Sequence, residues 1–137
     1  MKISGFDGSL EFAAGRIEPR LGRTAFAGSP LGMTATVTHR DHGWAEYRLQ
    51  PEPGVWVTVY FHDDRLVRLF VLLKIPADES DAWTEGLELE RKKVHDDWLR
   101  TELGKPPYEY AWGSITSDYD PRGCVSEIIV IYGSQDP

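Results

Sequence analysis

Between Trp44 and Ile75 apolar side chains recur at every second position through three successive runs. A period of two is the signature of strands with one buried face, so this stretch limits the chain to folds built on a sheet. Ala45, Tyr47 and Leu49 alternate with Trp44, Glu46 and Arg48. Val55, Val57, Val59 and Phe61 alternate with Trp56, Thr58 and Tyr60. Pro51, Pro53 and Gly54 separate these two runs, and His62-Asp63-Asp64-Arg65 separates the second from the third. Both breaks have hairpin length and turn chemistry. The third run places Val67, Leu69, Val71, Leu73 and Ile75 on one face. Leu66, Arg68, Phe70, Leu72 and Lys74 lie on the other. The first face is wholly apolar and requires a cover.

The cover is expected next along the chain. Pro76 ends the strand, and Asp78 or Ser80 is placed to cap a helix over 79–103, with Glu79, Asp81 and Glu85 at its positive end. Gly104 supplies the left-handed terminal position and Pro106-Pro107 forbid continuation. On a wheel of about 100° per residue, Leu87, Val94, Trp98 and Thr101 fall within about 60° of Trp83, which predicts an indole-bearing stripe against the sheet. A C-terminal hairpin over 108–132 turns at Asp120-Pro121-Arg122-Gly123. Its last strand, with Ile128 to Tyr132 apolar on both faces, reads as central in the sheet. Glycines and prolines crowd residues 1–42, where loops, a short helix at Thr24–Gly28 capped by Thr24 and a half-buried strand at Met33–Thr38 are expected. The fold class is therefore α+β: a mostly antiparallel sheet of hairpins with one long helix packed on one face. At 137 residues it reads as a single domain.

Charge and cysteine content exclude several function classes. Fifteen basic residues against 22 acidic ones leave a net charge of −7, the wrong sign for a partner held through phosphates, so no nucleic acid is expected. The single cysteine, Cys124, gives neither a disulfide framework nor a multi-cysteine zinc site, and it reads as a small buried hydrophobe. No secretory leader or membrane-length apolar run is visible, so a cytoplasmic protein without a membrane partner is expected.

The C-terminal half contains His95-Asp96-Asp97-Trp98-Leu99, Trp112-Gly113-Ser114-Ile115-Thr116-Ser117 and Tyr119-Asp120-Pro121. Over residues 55–133 the chain resembles a group of small, uncharacterised bacterial proteins with an H-D-x-W-L helix, a W-G-x-[IV]-x-S strand and a Y-D-P turn. That group has no settled activity, so the resemblance transfers no catalytic residue. In size and acidic charge the chain also resembles the immunity proteins of bacterial toxin systems.

The candidate chemistry is sparse. His62-Asp63-Asp64 has ligand-type side chains, but neighbours on one turn rarely converge on an ion. His39 and His42 flank Asp41 without a third ligand at metal spacing. On the helix, Glu90 falls inside the predicted stripe and Asp97 borders it, which raises a carboxylate pair beside His95. The plainer reading is that Glu90 is solvated beyond the sheet edge. Trp44, Trp56, Tyr60 and Trp112, edged by Arg48, Arg68 and Lys74, would form an aromatic face opposite the helix, suited to binding. Alternatively the N-terminal third wraps over that face. No catalytic residue, metal ligand or cofactor is assigned.

The expected binding residues are thus Trp44, Trp56, Tyr60, Arg68, Glu90, His95, Asp97 and Trp112. The favoured function is non-enzymatic, a stoichiometric association of the immunity type with a basic protein partner. The alternatives are a small metal-dependent or carboxylate-based hydrolase using Glu90, His95 and Asp97, and a homodimer joined through the aromatic face.

Overall fold

The computed structural model describes residues 1–80 and 82–133. Its main body is a seven-stranded antiparallel sheet. In chain order the strands are β4 (Thr36–Asp41), β5 (Trp44–Glu52), β6 (Val55–His62), β7 (Arg65–Leu73), β8 (Tyr108–Tyr110), β9 (Gly113–Asp120) and β10 (Val125–Tyr132), arranged β4-β5-β6-β7-β10-β9-β8. The expected α+β architecture is present. β5, β6 and β7 are the alternating runs joined by the expected turns, and β10 lies between β7 and β9. The long helix, α3 (Glu85–Leu103), ends at Gly104 with φ of 84°, a conformation that glycine adopts without strain. None of the described helices is long and apolar enough to cross a membrane.

One face of this sheet is covered by two separate parts of the chain. The N-terminal third forms a small sheet of β1 (Lys2–Ile3), β2 (Leu10–Phe12) and β3 (Gly15–Ile17), followed by α1 (Arg23–Ala27) and α2 (Pro30–Thr34). It lies over β5 and β6. Phe26 is fully buried, with ring centroids 5.3 Å from Tyr47 and 5.4 Å from Phe61. At its far end Trp112 Nε1 donates to the Gly5 carbonyl at 2.9 Å and Tyr132 Oη donates to the Gly8 carbonyl at 2.8 Å. α3 covers β7, β10 and β9 beside it. Leu99 belongs to the same buried cluster as Ile17, Phe26, Leu69, Ile128 and Val130, so both covers share one core. Burying each such side chain contributes on the order of 1.5–3 kcal/mol.

Several expectations are corrected by the structure. α3 begins at Glu85 with Thr84 as its cap, the Thr84 side chain accepting from the Leu87 amide, whereas Pro76–Glu79 forms a separate 3-10 turn. Asp78 accepts from the Ile75 amide at 2.8 Å instead of capping α3, and Asp81 lies outside the described residues. The buried side of α3 is Glu88, Arg91, His95 and Leu99, rotated by roughly a quarter turn from the predicted indole stripe. Trp83 precedes the helix and is 51% exposed; Trp98 is only partly buried. Val67 is the extra residue of a bulge between β6 and β7, so Leu66, not Val67, shares the buried face with Leu69 and Val71. Ser29 caps α2 through a bond from the Gly32 amide, and Pro30 suits the first helical position. Met33 and Thr34 are therefore helical, and the strand starts at Thr36 with every residue exposed. α1 starts one residue earlier than expected and is preceded by Gly22 as cap, not Thr24. Cys124 is exposed, at φ of 55° in the β9–β10 turn, and is not a core residue.

Candidate functional site

The other face of the large sheet has no cover among the described residues. Residue parity sends Trp44, Glu46, Arg48, Trp56, Thr58 and Tyr60 to it from β5 and β6, with Arg68, Phe70 and Leu72 from β7 and Glu127, Ile129 and Ile131 from β10. Trp44, Trp56 and Ile131 remain 37%, 41% and 45% exposed. The N-terminal third covers the helix-side face, so it does not mask this aromatic one.

The β4–β5–β6–β7 end of the open face holds a cleft of about 400 Å³. Its floor is one cross-strand row: Glu46 on β5 pairs with Tyr60 on β6, and Tyr60 pairs with Arg68 on β7. The Arg68 guanidinium carbon lies 4.6 Å from the Tyr60 ring centroid, 5.5 Å from that of Phe70 and 5.9 Å from that of Trp44. Three ring faces thus hold the cation by their quadrupoles. Its Nε is shielded from solvent and has no hydrogen-bond partner among the described residues. Trp44 is steadied from the other side by His62, with ring centroids 4.7 Å apart.

Glu46 is fully engaged. Tyr60 Oη donates to its Oε1 at 2.5 Å and Thr38 Oγ1 donates to its Oε2 at 2.6 Å. Burial alone would raise the Glu46 pKa, but the Thr38 and Tyr60 hydroxyls, with Arg48 and His39, hold it below the ordinary carboxylate range. Burial and the bond to Glu46 push the Tyr60 phenol up. Tyr60 therefore stays protonated and donating, and Glu46 stays ionised. His39, Asp41 and His42 complete the rim, with Asp41 Oδ1 3.1 Å from His42 Nε2. Among the described residues no group of three or more His, Cys, Asp or Glu side chains is placed to hold a metal ion.

Three of the expected binding residues, Trp44, Tyr60 and Arg68, meet in this cleft, and Trp56 lies on the same face outside its lining. The other four are elsewhere. Trp112 is on the opposite side, stacked 5.1 Å from Tyr110 and backed by Gly8, where a Cβ would come 2.6 Å from the indole; it is a peg for the N-terminal third. Glu90 and Asp97 are exposed on α3 while His95 is fully buried beneath it, so the three share no pocket and the carboxylate pair is not formed.

The buried carboxylate on α3 is Glu88, which the sequence reading missed. Glu88 accepts from the Ser126 amide at 2.9 Å and from Arg91 Nε at 3.1 Å. Arg91 Nη1 donates to the Leu73 carbonyl at 2.6 Å, and both Nη atoms bond Asp78. His95 accepts the Leu73 amide on Nε2 at 3.1 Å. Burial, with the nearby Arg91 cation, pushes the His95 pKa down to about 4, so the imidazole is neutral at neutral pH. Only the i, i+3, i+7 spacing of polar residues hinted at this clasp.

Other hollows carry less chemistry. One, of about 890 Å³, is an open depression between α1 and the β6–β7 turn. There Asp64 is already used, its Oδ1 accepting from the Thr24 amide and its carbonyl from the Arg23 amide. Asp63, at φ of 54°, closes the turn. His62-Asp63-Asp64 is thus divided between a ring contact, a turn and a seam.

No protein-family model, curated protein or solved structure matches the chain.

Proposed function

We propose that the protein acts by stoichiometric association with a protein partner of basic surface, docked on the open face of the seven-stranded sheet. The observation that carries this reading is that the described residues cover one face of the sheet and not the other, where Trp44, Trp56 and Ile131 are exposed beside ring-held Arg68 or further along the same face. Tryptophan, tyrosine and arginine supply most of the binding energy at protein interfaces, and an exposed apolar patch of this kind is a docking surface. Charge supports a basic partner. Beyond the net charge of −7, Glu127 sits cross-strand from Asp118 at the β9–β10 end of the face. Burial, with Asp120 and Glu88 nearby, raises the Glu127 pKa against the opposing pull of Arg48, and a further cation arriving there would favour the carboxylate.

Affinity capture from the source cells, with wild type and Trp56→Glu compared, tests the reading. The expected result is one basic protein retained in equimolar amount by the wild type and lost from the folded variant. Equal recovery by both, or no stoichiometric partner, overturns it. So does light scattering that shows a dimer abolished by Trp56→Glu, because the occupant is then a second copy.

A further inference from the structure

The cleft around Arg68 supports a reading independent of any basic partner. A guanidinium has five N–H donors in a planar fork, and structures normally use them on carboxylates, phosphates or carbonyls. Arg68 uses none of them on another of the described residues: it has ring contacts only, and because its Nε is shut away from solvent, its Nη groups are the donors left to the cleft. Glu46, the carboxylate beyond Tyr60 in its cross-strand row, is occupied by two hydroxyl donors. Rings packed around a guanidinium restrict its motion and leave its edge for an acceptor in the plane, an arrangement that favours two-pronged recognition. A volume of about 400 Å³ lies within the range of small-ligand sites.

We propose that this cleft binds a monocarboxylate with an aromatic or apolar body, the carboxylate on the edge of the Arg68 guanidinium and the body against Trp44. The lining argues for a monoanion. Glu46 and Asp41 stand in the same cleft, so a phosphate dianion meets two like charges, whereas a carboxylate presents one charge in a shape that fits the fork. The carboxylate has two sources with the same chemistry: a free small acid, or the C-terminal residue of a polypeptide.

The test follows the side-chain N–H signals of Arg68 and Trp44 by NMR during titration of the full chain. The probes are indole-3-acetate, its amide, N-acetyl-Gly-Trp with a free or amidated C-terminus, and inorganic phosphate. The expected result is saturable shifts at both side chains with an acid, an affinity about tenfold or more above that for its amide, and a loss of about tenfold or more in Arg68→Gln. Lys93→Gln, exposed on α3 across the sheet from the cleft, keeps full affinity. Should Arg68→Gln not fold, Arg68→Lys keeps the charge without the fork and is expected to bind several-fold more weakly. Tighter binding of the free-terminus peptide than of indole-3-acetate assigns the carboxylate to a polypeptide end, and the reverse order assigns it to a small acid. Three results overturn the proposal: no response of Arg68 or Trp44 to either acid at millimolar concentration, equal binding of acid and amide, or phosphate bound more tightly than carboxylate.

Discussion

Arg91 and Arg68 lie on opposite faces of one sheet, and the chain treats them in opposite ways. Arg91 is buried under α3, and its donors are matched by Asp78, Glu88 and the Leu73 carbonyl. Arg68 is half-buried on the open face, has rings for neighbours and has an unmatched Nε. The first arrangement is a completed network. Removing one member strands the others in a dry interior, so it fastens a helix to a sheet. The second is incomplete in the chain alone. The Nη donors, which no described residue accepts from, are the part of the guanidinium that an outside acceptor can reach. Charged side chains thus divide by face: under α3 they are matched in a hydrogen-bonded clasp, and on the open face Arg68 has no hydrogen-bond acceptor among the described residues.

The largest effect that tests this contrast is on stability. Arg91→Met leaves Asp78 and Glu88 without their cation and is expected to cost about 3–5 kcal/mol in urea unfolding, or to prevent folding. Arg68→Met removes no polar contact and is expected to cost less than about 1 kcal/mol. Equal costs would break the contrast. If Arg91→Met does not fold, Glu88→Gln keeps the shape, loses the ion pair and is expected to fall between the two.

Acid sensitivity comes next. Burial holds the folded His95 pKa at about 4, whereas the unfolded chain takes its proton near 6.5. The unfolded state therefore binds more protons between these values, and stability falls as the pH drops from about 6.5 to about 4, then levels off for this group. The loss is on the order of 3 kcal/mol. Arg91 holds the Asp78 pKa low, so its contribution disappears only at still lower pH. Urea midpoints against pH for wild type and His95→Gln check this. The fall between pH 6.5 and 4 should be absent from the variant, and an unchanged slope would place the sensitivity elsewhere.

The smallest effect concerns the peg. Trp112→Phe keeps the ring stack and removes the bond to the Gly5 carbonyl, at an expected cost of about 1 kcal/mol. Hydrogen exchange should show the loss in β1 and β2, with the open face unaffected. Faster exchange spread over β5 and β6 would mean that the N-terminal third and the sheet yield together.

The strands were the most legible part of the sequence, because β5, β6 and most of β7 alternate strictly between buried and open faces. The bulge at Val67 escaped, since it shifts the pattern by one position without a proline or glycine to mark it. The C-terminus of α3 was legible from Gly104. Its buried side was not: apolar periodicity points at Trp83 and Trp98, but the residues turned inward are Glu88, Arg91 and His95, chosen by backbone groups of Leu73 and Ser126 that needed partners. Within the candidate site, Trp44, Tyr60 and Arg68 were predictable from strand parity. Glu46, Thr38 and the unmatched Nε were not, because their roles arise from distances across strands.

By itself the sequence determined that β5, β6, β7 and β10 are strands, where the long helix stops and, up to the bulge at Val67, which side chains share a face of the central strands. Those properties depend on neighbours a few residues apart, and a period of two or a glycine at a helix end expresses them locally. The tertiary structure alone decided that the N-terminal third and α3 crowd onto one face and that none of the described residues covers the other. That choice rests on contacts such as Trp112 with Gly5, 107 positions apart, and on which buried donors and acceptors find each other when the chain closes.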